Sequence, residues 1–376
     1  MTLARRILLA VYAATYMAAR PLLFRRSPAA AHEDALRALA CADASSPLLA
    51  MLNSLRRVAL PRCPVNVGGV DLPLPLIIAA GFVKGTGFGD ERAALDAVKR
   101  GDNIMPGWSS LPALAGPVEF GSFTRLPRLG NDGTVLWREP ASRSLQNRIG
   151  LKNPGARAAA DFLAARRDRL PPIFGINIAP TPGMTDFDRE LADILDSLKL
   201  FIDAGVRPAW YTLNLSCPNT EDDPAGRQTA HKAQALCSAA VALLRQETIA
   251  RPLWVKIGPA LGEMQYRELI NAVAAAGGRA VIATNTLAQP IPEDSSTSAG
   301  VSGGRLHEHA FRACAILLDE QRAHGLSVDV IACGGILDAP SFTHFRALGI
   351  AAAQYWSALV YSGPLAAALI LRGNER

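Results

Sequence analysis

Two asparagines, a cysteine and a proline lie close together at residues 214–220, where the sequence reads Asn-Leu-Ser-Cys-Pro-Asn-Thr. Carboxamides both donate and accept hydrogen bonds, so they suit a flat polar heterocycle, and a cysteine between them is able to move a proton. The apolar residues 210–213 precede this segment and predict a buried strand that ends in the polar turn. Taken alone, the segment also fits an ordinary turn with a structural cysteine.

Polar residues also end several other short apolar runs. Lys84 and Lys256 end two of these runs, and Asn177 and Asn285 end two more. If the runs are parallel strands of one sheet, their carboxyl ends meet at one edge, so these side chains surround one opening. Burying polar groups is costly, so stability alone gives little reason for such a set. The pattern indicates a binding site.

Glycines mark a second feature of the same edge. Gly334 and Gly335 end a late apolar run, and residues 302–304 read Ser-Gly-Gly. Barrels commonly bind phosphate at this place through backbone N–H groups, which indicates a phosphorylated cofactor. Lys256 would then place a cation near the electron-rich end of a reduced flavin. The other interpretation is a rim lysine that serves only as a charge.

Eight apolar runs recur along the chain, and helix-length segments separate most of them. The runs are residues 74–82, 118–124, 173–179, 210–216, 252–258, 280–286, 329–336 and 352–358. Eight apolar strands that alternate with helices predict parallel pairing buried on both sides, so we expect an α/β fold of the (β/α)8 TIM barrel class. A doubly wound open sheet is the alternative, but no G-x-G-x-x-G follows the first run.

The amino-terminal segment has a different character. Its first 26 residues carry five arginines and no acidic residue around the apolar residues 7–19. A helix of that length rises about 20 Å, which is too short for a bilayer core of about 30 Å. The pattern favours a helix in the membrane interface, with Leu8, Leu9, Tyr12 and Tyr16 in the acyl boundary. A cleaved signal peptide and a plain capping helix are the alternatives.

Residues 29–60 continue as amphipathic helices, and Ser46 with Pro47 marks a helix start. We therefore expect two parts. The first is a small helical annex at residues 1–60, for which we expect membrane association. The second is the catalytic barrel at residues 61–376, which binds the cofactor.

The composition and net charge of the chain exclude several classes of protein. The chain has 376 residues, of which 49% are hydrophobic, so it is able to bury a substantial core. Its formal net charge of +6 is spread along the chain without an aromatic-interleaved basic block, so no nucleic-acid partner is expected. The six cysteines contain no C-x-x-C pair and the six histidines form no ligand set. We therefore expect neither a metal site nor a disulfide framework.

A set of motifs between about residues 20 and 364 resembles the dihydroorotate dehydrogenases. These are flavin mononucleotide (FMN) barrels that oxidise dihydroorotate to orotate in pyrimidine biosynthesis. The resemblance covers nearly the whole chain, and the pair Asn-Leu-Ser-Cys-Pro-Asn and Ala-Thr-Asn-Thr is the most specific part of it. The motifs lie at residues 79–84, 147–150, 175–178, 214–220, 255–256, 283–286, 301–303, 334–336 and 361–364.

The resemblance implies roles for individual residues. It implies that FMN is held by Ala80, Gly81, Ser122, Asn177, Asn214, Lys256, Thr284, Gly303, Gly335, Trp356 and Ser357. It implies that dihydroorotate is held by Lys84, Asn147, Arg148, Ile149, Gly150, Leu151, Asn214, Asn219, Asn285 and Thr286. Cys217 is the implied general base for the C5 proton. Orotate is a planar carboxylated diamide, so carboxamides and a lysine suit it chemically.

The electron acceptor depends on which arm of the family the chain resembles. The annex, with Ala31 and His32, resembles the membrane-associated arm, which uses quinone and normally carries serine as the base. The resemblance implies that residues 1–60 give quinone access to the barrel. Cys217 is typical of the soluble arm, which uses fumarate or NAD. We expect quinone as the acceptor and a peripheral position on the cytoplasmic face of a membrane. A soluble cytoplasmic enzyme is the alternative.

Some residues depart from the family pattern. Leu151 stands where an aromatic residue usually follows, an extra segment lies around residues 102–116, and residues 221–223 are acidic. These departures leave two further interpretations open. One is a paralogue with an altered substrate or oxidant, and the other is a barrel that binds a flavin or ligand without turnover.

Overall fold

The computed structural model of the protein describes residues 3–215 and 230–373. The helices in these ranges are α1 Leu3–Leu23, α2 Pro28–Asp43, α3 Ser46–Ala59, α4 Glu91–Lys99, α5 Ser110–Ala115, α6 Ala156–Ala164, α7 Phe187–Asp203, α8 Ala230–Gln246, α9 Glu263–Ala275, α10 His307–His324, α11 Ala339–Leu348, α12 Ser357–Ser362 and α13 Ala366–Ile370. The strands are β1 Val65–Val67, β2 Val70–Leu72, β3 Leu76–Ile78, β4 Val118–Phe123, β5 Leu136–Glu139, β6 Ser144–Asn147, β7 Phe174–Ile178, β8 Trp210–Asn214, β9 Leu253–Ile257, β10 Ala280–Ala283, β11 Leu287–Ile291, β12 Asp294–Gly303, β13 Asp329–Cys333 and β14 Ala353–Tyr355.

Eight parallel strands close a barrel. Their order around it is β3, β4, β7, β8, β9, β10, β13 and β14, and β14 pairs with β3 to complete the circle. Every residue of β4, β7, β8, β9 and β10 is buried, as expected for strands covered by side chains inside and by helices outside. Each strand lies within one of the eight apolar runs, so the predicted TIM barrel is confirmed.

An antiparallel sheet that the sequence did not reveal adjoins the barrel. Its strand order is β11, β12, β6 and β5. Asn147 of β6 lies opposite Gly300 of β12, and Ser144 lies opposite Gly303. The sheet therefore brings Leu145, Asn147 and Gly303 to the same cavity as the ends of the barrel strands.

Helix α1 packs along the last two helices of the chain. The Tyr12 hydroxyl donates to the Ser362 carbonyl oxygen at 3.0 Å, and the Tyr16 hydroxyl donates to that of Val360 at 2.9 Å. Leu9 is completely buried in a small apolar cluster between the annex and the carboxyl-terminal helices. The prediction that Leu8, Leu9, Tyr12 and Tyr16 enter the acyl boundary was therefore wrong for Leu9, Tyr12 and Tyr16, because this side of the helix faces the protein, and Leu8 is partly buried against the same cluster.

The extra segment at residues 102–116 joins the annex to the barrel. It contains α5, whose six residues are all buried. The carboxylate of Asp43, at the end of α2, accepts hydrogen bonds from Asn103 Nδ2 at 3.0 Å and Gly107 N at 2.7 Å. It also accepts from Ser109 Oγ at 2.9 Å, Ser109 N at 3.2 Å and Ser110 N at 2.8 Å. One buried carboxylate thus anchors the annex to this segment.

Candidate functional site

A cavity opens at the carboxyl ends of the barrel strands and encloses about 1160 Å³, including its solvent-facing mouth. Most of the predicted residues line it. On the strand ends these are Ala80, Gly81, Lys84, Ser122, Asn214, Lys256, Thr284, Asn285, Thr286, Gly335, Trp356 and Ser357. The loops and the antiparallel sheet add Asn147, Ile149, Gly150, Leu151 and Gly303. Residues far apart in the chain therefore meet at one opening, as the strand-end pattern predicted.

Four of the predicted site residues are not among the described residues that line the cavity. Arg148 does not line the cavity, because its backbone N–H donates to Val135 O and its carbonyl accepts from Asn131 Nδ2, which fixes it in the loop. Its assignment as a substrate contact is thus not supported by its position. Asn177 is completely buried and lies outside the cavity lining. Cys217 and Asn219 lie outside the described residues.

The carboxamides in the cavity are linked to one another. Asn285 Nδ2 donates to Asn214 Oδ1 at 3.2 Å, and Asn214 Nδ2 donates to Ser122 Oγ at 3.1 Å. The backbone N–H of Thr286 donates to Asn285 Oδ1 at 2.9 Å, which fixes the orientation of that amide. The Thr286 hydroxyl is buried without a partner among the described residues. This chain of oriented dipoles suits a planar ligand whose edge carries both donors and acceptors.

Glycines shape the opposite side of the cavity. Gly335 has φ +71°, and a Cβ there would lie 2.6 Å from His307 Cβ. Gly303 has φ +83°, and a Cβ there would collide with the Arg143 carbonyl oxygen. The hydroxyls of Ser302 and Ser357 lie 3.0 Å apart beside them. Only glycine lets the backbone approach so closely, and the resulting wall of backbone groups and hydroxyls suits a phosphate.

Sequence reasoning missed a buried polar cluster beneath the cavity. Lys256 Nζ donates to Gln354 Oε1 at 3.0 Å, and Gln354 Nε2 donates to Glu119 Oε2 at 3.1 Å. Glu119 Oε1 accepts from Asn177 Nδ2 at 2.7 Å, which leaves Asn177 Oδ1 as a buried acceptor without a partner among the described residues. Cys333 also lines the cavity, and burial raises the pKa of its thiol. One feature of the sequence could have indicated this cluster, namely that Glu119 is an acidic residue inside the apolar run 118–124.

Comparison with known proteins gives the family. The family described as "Dihydroorotate dehydrogenase" matches residues 63–375. A relative from Methylococcus capsulatus, named dihydroorotate dehydrogenase (quinone), is 33% identical over 361 residues, which cover 92% of this chain and 94% of the relative. The chain belongs to the dihydroorotate dehydrogenase family. The resemblance seen in the motifs is therefore confirmed.

Other dihydroorotate dehydrogenases agree with this assignment. The Roseiflexus castenholzii relative, also named as quinone-dependent, is 33% identical over 367 residues, which cover 95% of this chain and 91% of the relative. A crystal structure of ligand-free dihydroorotate dehydrogenase from Eimeria tenella superposes with a TM-score of 0.68 at 22% identity and covers 86% of this chain and 91% of that chain. At that identity the structural likeness supports the fold.

Dihydroorotate dehydrogenases are generally flavin-dependent, and the described residues fit such a cofactor. The unpartnered Asn177 Oδ1 needs an N–H donor, which the imide group of a flavin ring carries. The glycine wall accommodates a phosphate, and Lys256 also lines the cavity. The lining therefore supplies a cation and an anion-binding wall, and Asn177, which Glu119 links to the lining residue Gln354, supplies a buried acceptor.

The annex meets the cavity of this dehydrogenase through an aromatic cluster. The His32 ring of α2 lies 5.8 Å from the Phe82 ring and 6.2 Å from the Trp356 ring, measured between centroids. Burial, together with the positive charges of Lys84 and Lys152, lowers the pKa of His32 to about 4. The neutral imidazole is therefore the form that packs between the annex and Trp356.

The depressed pKa of His32 predicts a loss of stability in acid. The unfolded chain binds the proton near pH 6.5 and the folded chain near pH 4, so stability is fully present above pH 6.5 and falls between those values. At pH 5 the cost is at most about 2 kcal/mol, because pH 5 lies about 1.5 units below the pKa of the unfolded chain. The free energy of unfolding, measured by urea titration, should fall less between pH 7 and pH 5 in the variant His32→Phe than in the wild type. An equal loss in both proteins would contradict this prediction.

Proposed function

We propose that this protein binds FMN, oxidises dihydroorotate to orotate and passes the electrons to a quinone. The observation that carries this proposal is the convergence of two lysines and three asparagines on one cavity beside a glycine wall, in a chain of this family. The names of the relatives support quinone as the acceptor. The chemistry belongs to pyrimidine biosynthesis.

The cavity residues divide between the two ligands. Lys84 would bind the substrate carboxylate, and Asn147, Asn214 and Asn285 would bind the ring amides. FMN, when bound, supplies the two-electron acceptor for the substrate and passes the electrons on. Its phosphate would be held by the backbone at Gly303 and Gly335, and the remaining predicted cofactor residues would surround its ring. Holding both rings in contact makes the reaction effectively unimolecular.

A base must remove the proton from C5 of dihydroorotate while C6 is oxidised. We propose Cys217, which follows Asn214 at the end of β8 by three positions and lies outside the described residues. The thiolate of Cys217 would take the proton and become the thiol, and cysteine reaches the deprotonated form more readily than serine because its pKa lies nearer to neutrality. The asparagines would hold the ring so that C5 faces the sulfur.

The function has a direct spectroscopic test. Purified protein should be yellow, and dihydroorotate should bleach the flavin absorbance in the absence of oxygen. A quinone should then restore the colour faster than fumarate or NAD does. A colourless protein that binds no FMN would refute the proposal. A yellow protein that dihydroorotate does not bleach would instead favour a paralogue with another substrate or a binding barrel without turnover.

The annex at residues 1–60 is proposed to bind a membrane surface, and the barrel at residues 61–376 to carry the chemistry. The exposed fractions of Leu3, Ile7 and Val11 are 72%, 55% and 60%, and their spacing of four residues places them along one side of α1. No described helix is by itself long and apolar enough to cross a membrane, and α2 with α3 meets that measure only as a pair bent by 106°. The exposed apolar side of α1 favours a peripheral position on a membrane, and we propose that this is the cytoplasmic face.

Membrane binding should depend on the exposed side of α1. The triple variant Leu3→Gln, Ile7→Gln and Val11→Gln should bind vesicles with anionic lipids at least tenfold more weakly, because each leucine-sized side chain buried in lipid contributes about 1.5–3 kcal/mol. Sedimentation with vesicles measures the binding. Leu129 and Met264, each 65% exposed on the barrel, provide controls, and their Gln variants should bind as the wild type does. Unchanged sedimentation of the triple variant would rule out this surface.

A further inference from the structure

One fully buried carboxylate organises the polar side chains below the cavity. Glu119 of β4 accepts hydrogen bonds from Asn177 Nδ2 at 2.7 Å, Trp210 Nε1 at 2.9 Å, Thr212 Oγ1 at 2.7 Å and Gln354 Nε2 at 3.1 Å. Four donors offset the cost of removing the charge from water. An ionised carboxylate only accepts hydrogen bonds, so each neighbour must turn a donor toward it.

This requirement sets the orientation of the Gln354 amide. Its nitrogen is held against Glu119, so its oxygen points to Lys256 Nζ at 3.0 Å. The reverse orientation would place the amide oxygen against the carboxylate and the amide N–H groups against the ammonium, which is repulsive on both sides. Lys256 is 5% exposed and lines the cavity, so its charged end is held in place from below.

The same carboxylate sets the orientation of Asn177. Because the Asn177 amide nitrogen donates to Glu119, its oxygen is directed elsewhere and has no partner among the described residues. Buried polar atoms are nearly always paired, so an unpartnered acceptor indicates a ligand donor. Thr212 and Trp210, the other two donors, do not line the cavity. Asn177 does not line it either, so Gln354 is the one of these four donors on the cavity lining, and Asn177 differs from Thr212 and Trp210 by its unpartnered oxygen.

We infer that Glu119 is a positioning residue, which orients Gln354 and Asn177 and, through Gln354, holds the Lys256 ammonium against the bound cofactor. The inference rests on the proposed function, because it takes the ligand of the cavity to be FMN. A cation fixed at that place favours the reduced form of a flavin, since it stabilises the added negative charge. Loss of the link would make the flavin harder to reduce and less tightly bound.

Two substitutions separate positioning from packing. Gln354→Met and Thr212→Val each remove one buried donor to Glu119, but only the first breaks the link to Lys256. In Gln354→Met we expect the ratio of reduced to oxidised flavin at a fixed potential to fall about tenfold, which is about 30 mV for a two-electron couple. The FMN dissociation constant should rise about tenfold. Thr212→Val should lower the thermal midpoint but leave both flavin properties at wild-type values.

The variant Glu119→Gln tests the same inference. An amide of the same shape both donates and accepts hydrogen bonds, so it no longer forces Gln354 and Asn177 into one orientation. FMN affinity, measured by flavin fluorescence on the stripped protein, should fall about tenfold in this variant as well. Wild-type affinity and potential in both Gln354→Met and Glu119→Gln would overturn the inference, although the wild type would still bind FMN and be bleached by dihydroorotate. A wild type that binds no FMN would overturn the proposed function and the inference together.

Discussion

Replacing Cys217 with alanine should slow the reduction of bound flavin by dihydroorotate about 10²- to 10⁴-fold, which is the usual contribution of a positioned general base. Serine in its place should be slower than cysteine but faster than alanine, because a hydroxyl is still able to accept the proton when a path to solvent exists. Single-turnover reduction under anaerobic conditions isolates this step from reoxidation by quinone.

Two controls make the Cys217 result specific. The variant should bind FMN and orotate as tightly as the wild type, since the carboxamides and lysines of the cavity are unchanged. Cys41 is exposed on α2, so Cys41→Ala should reduce its flavin at the wild-type rate. Wild-type reduction in Cys217→Ala would place the base on another residue.

Replacing Asp43 with alanine should lower the free energy of unfolding by about 3–5 kcal/mol, because the donors of the segment at residues 102–116 lose a buried, charged acceptor. The variant Asp43→Asn should lower the free energy of unfolding less, because its amide oxygen still accepts some of these hydrogen bonds. Urea titration measures the loss, and limited proteolysis should then cut first in the annex.

Asp34 offers a matched control on the same helix. It is exposed and pairs with Arg26 and Arg37, so Asp34→Ala should change stability by no more than about 1 kcal/mol. If Asp43→Ala and Asp34→Ala have equally small effects, the buried carboxylate does not anchor the annex. The comparison also tests whether the extra segment is a structural joint of the fold.

The sequence predicted the barrel because its strands are buried on both faces and therefore appear as short, continuous apolar runs. It did not predict the sheet of β5, β6, β11 and β12, since β12 consists mainly of serine, glycine and other small residues. Such strands have neither an apolar run nor a clear alternation. Pairing between segments far apart in the chain, as between Asn147 and Gly300, determines them instead.

The amino-terminal helix shows a second limit. Both sides of α1 are apolar, so the pattern alone does not decide between the side with Leu9 and Tyr12 and the side with Leu3 and Ile7, and the side chosen for the membrane was the wrong one. The choice depends on α12 and α13, which lie more than 300 positions away in the chain. Only the tertiary structure shows which side is covered.

The candidate site was predictable to the extent that it consists of strand ends. Parallel strands gather their carboxyl ends at one edge, so the polar residue after each run was a sound indication. Glu119 and Gln354 lie within strands, and their meeting depends on which side chains point into the barrel. Arg148 illustrates the opposite case, since it is a motif residue that is not on the cavity lining and whose carbonyl oxygen is bound by Asn131 in the loop.

The docking of α1 on the end of the chain has a consequence for synthesis in the cell. Tyr12 and Leu9 leave the ribosome early, whereas their partners at Ser362 and Leu365 are translated last. At roughly 5–20 residues per second, the helix waits on the order of 20–70 s with both apolar sides uncovered. Docking of α1 therefore follows the translation of α12 and α13, which makes it a late step of folding during synthesis.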